Sequence, residues 1–428
     1  MTTPIRLGIA GLGTVGIGVV KIVQTHADLL ALRAGRPVTI TAVCANSRTK
    51  NRAVDISAYD WVDDPVALAL RDDVDVVVEL IGGDDGPAKA LVETALKHGK
   101  DVVTANKALL AHHGNALAEL AETNERALRF EAAVAGGIPI IKTMIEGLAG
   151  NQIRRVMGVM NGTCNYILTR METAGLPYDT VFEEARQLGF LEADPNLDVG
   201  GIDAGHKLSL LSSIAFGTKV DFDAVVLQGI GAVTIDDITL ARDMGYSIKL
   251  LGVSQMTGRG LEQRMTPCLV PETHPLGQLQ GGTNMVVVEG DSVGQIVLRG
   301  AGAGEGPTAS AVMGDVMDIA RGLNFPTFGQ PVTSLTVAPA AVVTTGASWY
   351  LRMRLLDKPG ALAKVATILG DVGVSIDRMR QYSHNDEQAP VLIVTHKASS
   401  DDIALALERF AVSGVVVGEP MALRIEDV

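Results

Sequence analysis

The densest chemistry in the chain lies between residues 189 and 207. Glu192, Asp194, Asp198 and Asp203 gather there around a single lysine, Lys207. Asp203 and Lys207 are four apart at the expected start of a helix, so they share one face. The other three acids precede it on a loop. Such a set suits an amino acid: the carboxylates hold an α-ammonium, and the lysine delivers a proton to an oxygen. An ordinary surface pair has the same spacing, and spacing alone favours that plainer reading. His206 sits about 100° around the helix from Lys207 and reads as structural.

A second lysine follows in Thr104-Ala105-Asn106-Lys107, just past the end of an expected parallel strand. Open α/β sheets place ligands there, so Lys107 has reach to both cofactor and substrate. The alternative is a solvated lysine at a helix start. Residues 131–139 run from Glu131 through Val134, Gly136 and Ile138 to Pro139. Successive carbonyls there offer ligands for a monovalent cation, although chemistry alone reads the segment as a turn. Cys164 is a candidate thiol nucleophile, but a lone cysteine is more often a buried filler.

Gly11-Leu12-Gly13-Thr14-Val15-Gly16 follows an apolar strand and opens a helix. The first glycine permits the tight turn, the second lets a pyrophosphate approach, and the third lets helix and strand close up. A dinucleotide site is expected. The next strand ends in Asn46-Ser47-Arg48, where an NAD-specific site would carry an acid. A neutral residue and Arg48 point to NADP, or to use of both cofactors. An exposed loop charge is the alternative for Arg48.

These residues need a scaffold, and the pattern supplies one. Strands are expected at 5–10, 38–45, 74–80, 101–104 and 128–135, with helices at 15–32, 87–98 and 109–126. That alternation implies a doubly wound parallel sheet over residues 1–135. Residues 136–310 read as an α+β substrate domain. Its helices fall near 162–174, 178–188, 202–216 and 236–244, and strands at 284–289 and 295–298 pair around a turn. A helix at 308–321 opens a returning segment, 311–346, which ends in a weakly charged stretch. Residues 347–428 form a β-α-β-β-α-β module.

Bulk properties exclude several classes. Hydrophobic residues make up 47% and charged residues 20%, a globular balance. No apolar run reaches the ~20 residues of a membrane helix. Lysines and arginines number 36 against 49 acids, a net charge of −13, which disfavours nucleic acid and anionic membrane as partners. Three scattered cysteines, Cys44, Cys164 and Cys268, make neither a disulfide framework nor a zinc site. No secretory signal is evident, so the cytoplasm is the expected compartment.

Taken together, the motifs resemble homoserine dehydrogenases of the single-function type. The resemblance spans the chain and rests on Gly11 to Gly16, Val78-Glu79-Leu80-Ile81-Gly82-Gly83, Thr104 to Lys107, Glu131 to Pro139, Asn161-Gly162-Thr163, Gly189 to Lys207, and Gly302 to Thr308. It implies reversible reduction of L-aspartate 4-semialdehyde to L-homoserine, in threonine, methionine and isoleucine biosynthesis. Lys207 then matches the proton donor, and Glu192 and Asp203 the substrate binders. Lys107 matches a lysine lining cofactor and substrate, while Gly189, Glu192 and Gly304 match positions at the nicotinamide. Glu131, Val134, Gly136 and Ile138 match a sodium site built largely of main-chain oxygens. The family implies a homodimer or homotetramer, and adds a dimerisation role to the substrate domain at 136–310.

The last module looks like a ferredoxin-like ACT domain. Asp357-Lys358-Pro359-Gly360 opens a helix there whose free N–H groups suit the carboxylate of an effector, most simply L-threonine. Two rival readings stand beside this one. An acylating semialdehyde dehydrogenase would need Cys164, and a non-catalytic sensor would not need Lys207, Glu192 and Asp203.

Overall fold

The computed structural model describes residues 3–192, 194–341, 346–382 and 388–428. Its first layer is a six-stranded parallel sheet of β1 (Ile5–Ala10), β2 (Val38–Cys44), β3 (Asp60–Val62), β4 (Val76–Glu79), β5 (Asp101–Thr104) and β6 (Leu128–Arg129). The strand order is β3-β2-β1-β4-β5-β6. Chain direction across the sheet reverses between β1 and β4, where doubly wound sheets open a ligand crevice. β1 and β4 are almost wholly buried, as expected of strands covered on both faces.

Two expected elements in this layer are shorter than their apolar patterns. The helix at 15–32 is two helices, Thr14–Thr25 and Ala27–Ala34, bent by 81° at His26. Apolar spacing continues across the bend, so periodicity does not register it. The strand at 128–135 pairs only at Leu128 and Arg129, after which Glu131–Ala133 coils into a 3-10 turn. Among the described residues no single helix is long and apolar enough to cross a membrane.

The helix Glu305–Ala320 starts three residues before its expected position, and the boundary expected at 310/311 falls inside it. It packs on Thr14–Thr25 so closely that a Cβ on Gly18 would lie 2.8 Å from Ala309 Cβ and from Glu305 O. This helix therefore shares its core with the first sheet: Ala309, Val312 and Val316 join Leu7, Ile9, Val19 and Val78.

The second sheet has ten strands: β7 (Ile153–Val159), β8 (Val226–Leu227), β9 (Tyr246–Thr257), β10 (Gly260–Pro271), β11 (Thr283–Gly290), β12 (Gly294–Ala301), β13 (Ser348–Leu356), β14 (Ile376–Gln381), β15 (Gln388–Thr395) and β16 (Val416–Ile425). The main order is β12-β11-β7-β9-β10-β16-β13-β15-β14, with β8 beside β10. The β11–β12 hairpin agrees with the sequence reading, whereas β3, β7 and the long β9–β10 hairpin were not anticipated.

The C-terminal module has the expected β-α-β-β-α-β order but shares this sheet with the middle of the chain. β16 runs parallel to β10, with Cys268 opposite Arg424 and Leu269 opposite Ile425. Buried charges fasten the seam. Arg264, fully buried on β10, holds Glu262 at 3.0 Å and Glu426 at 2.5 Å, and Arg155 also pairs with Glu426. A second link joins Arg352 and the Tyr350 hydroxyl to the buried Asp237. The outer edge of β10 is thus covered by three separate segments: Ala340 opposite Leu261, β8 opposite Arg264 and Met265, and β16 beyond them.

Candidate active site

Lys207 lies one turn into the helix Ile202–Phe216, which Gly201 enters with φ 84°. Asp203 and Lys207 face the same way and meet at 2.6 Å. The pair is buried rather than on the surface. Lys207 Nζ also donates to Met160 O at 2.9 Å. An ammonium has three donors, so among the described residues one stays free for a ligand.

Lys107 arrives from the other domain. Asn106 caps its helix by accepting the Leu109 N–H at 3.1 Å, which places Lys107 at the first helical position. Its Nζ reaches Asp203 Oδ1 at 2.9 Å and Glu192 Oε1 at 3.8 Å. Burial alone would raise the Asp203 carboxyl, but Lys207 and Lys107 outweigh it and hold the group well below the usual range. Burial likewise opposes the charge on Lys107, and Asp203 more than restores it.

Asn161 ties the acids together. Its Nδ2 donates to Asp198 at 3.0 Å and Asp203 at 3.1 Å, while its Oδ1 accepts the Cys164 N–H at 2.8 Å. That last bond fixes which way the amide faces. Asp198 in turn accepts the Glu192 N–H at 2.9 Å and so sets the loop. Glu192 keeps half of its side chain in solvent, free for a ligand. A cavity of about 560 Å³ collects Lys107, Asn161, Gly189, Glu192, Asp203, Lys207, Asn284 and Gly304.

Cys164 lies beneath this cavity. It is fully buried, its Sγ sits 3.2 Å from Asp198 O, and burial pushes the thiol well above its ordinary value. A nucleophile needs access and a thiolate, so the acylating reading loses its residue. His206 points away from the cavity and packs on Phe222, with ring centroids 4.2 Å apart, and on His112. This matches its structural reading.

The glycine loop borders a second cavity of about 830 Å³, lined by Gly11, Leu12, Gly13, Asn46, Ser47, Lys50, Arg52, Leu80 and Ile81, among others. Gly11 has φ 103°, and a Cβ there would lie 2.3 Å from Leu80 O. A Cβ on Gly16 would meet Gly11 O at 2.0 Å, while Gly13 has open space around it. The residues therefore fit a dinucleotide: tight packing at the first and third glycines, and room at the second. Thr14 begins the helix behind them, and Val15 lines the first cavity. Arg48 is exposed and absent from either lining. The cations that do line the cavity are Lys50 and Arg52. Arg52 lies over Trp61, 5.5 Å from the ring centroid, and donates to Ser47 O at 2.7 Å. Closeness in sequence to Arg48 was the only available pointer to them.

At the proposed cation segment, both Glu131 oxygens accept backbone N–H groups, from Ile141 at 2.9 Å and Lys142 at 2.8 Å. Ile138 O accepts the Ile140 N–H. Val134 and Gly136 are buried, and among the described residues their carbonyls accept no hydrogen bond. Burial pushes the Glu131 carboxyl up to about 7.

A glycine-loop crevice together with a second cavity that gathers two lysines and a carboxylate cluster defines a nicotinamide-dependent oxidoreductase that takes a small polar substrate. Comparison with known proteins narrows the class. The family profile described as "Homoserine dehydrogenase, NAD binding domain" matches residues 11–131, that described as "Homoserine dehydrogenase" matches 139–317, and an ACT domain profile matches 349–412. Homoserine dehydrogenase of Neisseria gonorrhoeae is 44% identical over 94% of both chains. That of Pseudomonas aeruginosa is 40% identical over 99% of both. The crystal structure of a homoserine dehydrogenase from Thiobacillus denitrificans superposes with a TM-score of 0.94, at 39% identity and 99% coverage of both chains. The chain belongs to the homoserine dehydrogenase family.

Proposed function

We propose that the enzyme interconverts L-aspartate 4-semialdehyde and L-homoserine with Lys207 as proton donor, in the biosynthesis of threonine, methionine and isoleucine. The observation that carries this reading is the free third donor of a buried Lys207 whose other two are spoken for. Lys207 is held toward the substrate oxygen, and Glu192 with Asp203 forms the acidic side that receives the ammonium. When bound, the nicotinamide supplies or accepts the hydride; the protein supplies orientation and the proton. Gly11 to Gly16 would hold the pyrophosphate, with Gly189 and Gly304 at the nicotinamide end. The test is formation of reduced nicotinamide from homoserine, which should fail with amino acids that lack the hydroxyl.

NADP is the favoured cofactor. An archaeal homoserine dehydrogenase whose structure holds NADPH, 26% identical over 76% of this chain with a TM-score of 0.65, supports it. So do the cations at the Asn46 end of the crevice. A sodium ion is proposed at the segment Glu131 to Ile138, where the carbonyls of Val134 and Gly136 accept no hydrogen bond among the described residues. Replacing sodium by a larger cation should then lower thermal stability.

The C-terminal module has a regulatory task in this reading. Gly360, with φ 84°, begins the helix Ala361–Asp371 and leaves N–H groups for an effector carboxylate; Asp357 or Asp377 would take its ammonium. L-threonine is the effector proposed. Calorimetry with threonine on the full chain, and on Gly360→Val, tests this; equal heats from both would remove the assignment. The unpaired side of β12, with alternate residues exposed, suits a homodimer through the second sheet. Three free, buried cysteines fit a reducing compartment, and the cytoplasm is the one proposed.

A further inference from the structure

Glu79 ends β4 with no exposed surface at all. Among the described residues, its carboxylate meets only neutral donors. Oε1 accepts the N–H groups of Ile81 at 2.7 Å and Gly82 at 3.2 Å; Oε2 accepts the Thr104 hydroxyl at 2.5 Å. The last contact follows from register, since Glu79 and Thr104 lie opposite each other on β4 and β5.

The direction of each bond is fixed. Thr104 Oγ1 accepts the Asn106 N–H at 3.0 Å, so its own hydrogen goes to Glu79. Asn106 Nδ2 donates to Gly83 O at 2.7 Å, and its Oδ1 caps the helix that Lys107 begins. The bonds close a ring from Glu79 through the 81–83 loop to Asn106 and back through Thr104. Lys107 projects from this ring to Asp203. On its other side, Leu80 O abuts Gly11. All three partners of Glu79 are donors, so the position demands a group that only accepts. An amide could keep its oxygen on Ile81 and Gly82 only by turning its own N–H toward Thr104 Oγ1, whose hydroxyl would then lose its acceptor; an apolar side chain removes both arms.

We propose that Glu79 is a positioning residue for the reaction: through Thr104 and Asn106 it sets how Lys107 enters the substrate cavity, and through Ile81 and Gly82 it sets the loop against the dinucleotide crevice. The proposal rests on the reading of Lys107 as a substrate-facing group. It predicts a division of labour that a merely structural residue would not show. Loss of the Thr104 arm disturbs substrate alone, whereas loss of the Glu79 carboxylate disturbs substrate and cofactor together.

The experiment uses the full chain and five variants: Glu79→Leu, Thr104→Val, Thr104→Ser, Lys107→Met, and the Thr104→Val, Lys107→Met double variant. Steady-state kinetics gives kcat and KM for homoserine, NADPH fluorescence gives the cofactor Kd, and thermal unfolding reports folding. Thr104→Val should raise KM by about five- to tenfold, the size of one hydrogen bond, with cofactor Kd unchanged. Thr104→Ser should restore KM. Glu79→Leu, which removes both arms at similar volume, should raise both KM and the NADPH Kd. In the Lys107→Met background the Thr104→Val effect on KM should vanish, because the relay has lost its end point. Two results overturn the proposal: unchanged KM in Thr104→Val, or the same rise with and without Lys107. A Glu79→Leu variant altered only in Tm overturns it as well. Failure of the Lys107 reading would show separately, as a Lys107→Met variant with wild-type KM; any Thr104→Val effect would then run outside Lys107 and count against the relay.

Discussion

Lys107 and Lys207 close on opposite oxygens of one carboxylate, at 2.9 Å and 2.6 Å from Asp203. One lysine comes from the dinucleotide domain and the other from the helix Ile202–Phe216. Asp203 is therefore where the two halves of the site are registered against each other. Two cations this close, Lys207 buried and Lys107 half-buried, would repel without it.

Lys207→Ala should lower kcat by about 10²–10⁴, the range for loss of a general acid. Cofactor affinity should stay within a few-fold, because Lys207 lines the substrate cavity and not the dinucleotide cavity. Stopped-flow hydride transfer together with NADPH binding checks both halves. Near-normal kcat would remove the proton-donor role.

Cofactor choice should respond to Lys50 and Arg52 more than to Arg48. The first two line the crevice, while Arg48 faces solvent. Arg52→Ala should weaken NADPH by about tenfold or more and NADH little, as expected from one charge-assisted phosphate contact. Parallel titrations of both cofactors decide this. A larger effect from Arg48→Ala would return the assignment to that residue.

Acid should destabilise the fold through His206. Burial, with His112 adding to it, lowers this imidazole from 6.5 to about 4. The unfolded chain takes up the proton near 6.5, whereas the folded chain resists until about 4. The contribution of His206 to stability is therefore complete above 6.5 and is lost as pH falls from 6.5 toward 4, by roughly 2–4 kcal/mol in all. Urea unfolding at neutral pH and near pH 5 should show the decline, and His206→Leu should flatten it. Equal slopes in both proteins would contradict the assignment.

Glu426→Ala should cost about 3–5 kcal/mol of stability, because it leaves Arg264 and Arg155 buried beside too little negative charge. Differential scanning calorimetry checks the shift in Tm. The same geometry warns against truncation: a chain cut before β13 loses Glu426 and β16 together, so its altered activity would not isolate regulation.

Much of the first domain is legible in the sequence because parallel strands buried on both faces read as unbroken apolar runs. The family resemblance singles out Glu192, Asp203, Lys207 and Lys107, and the structure brings all four to one cavity. The β9–β10 hairpin was not. Lys249, Glu262, Gln263 and Arg264 interrupt it with polarity although all are buried. Two of them find partners far along the chain: Glu426 for Arg264, and Leu279 O with Asn165 for Lys249. A local pattern cannot show that such groups are paired. Arg52 escaped for the same kind of reason, since Trp61 and Ser47 turn it toward the crevice.

The covering of β10 has a consequence in time. β10 leaves the ribosome well before β16, and until β16 arrives part of its outer edge is a row of unpaired backbone groups beside an unneutralised Arg264. An open edge of that kind invites pairing with another chain. The nascent protein thus passes through an interval in which its catalytic half is made but not sealed. The β16 strand, which follows the ACT-matched residues in sequence, is also what ends that exposure.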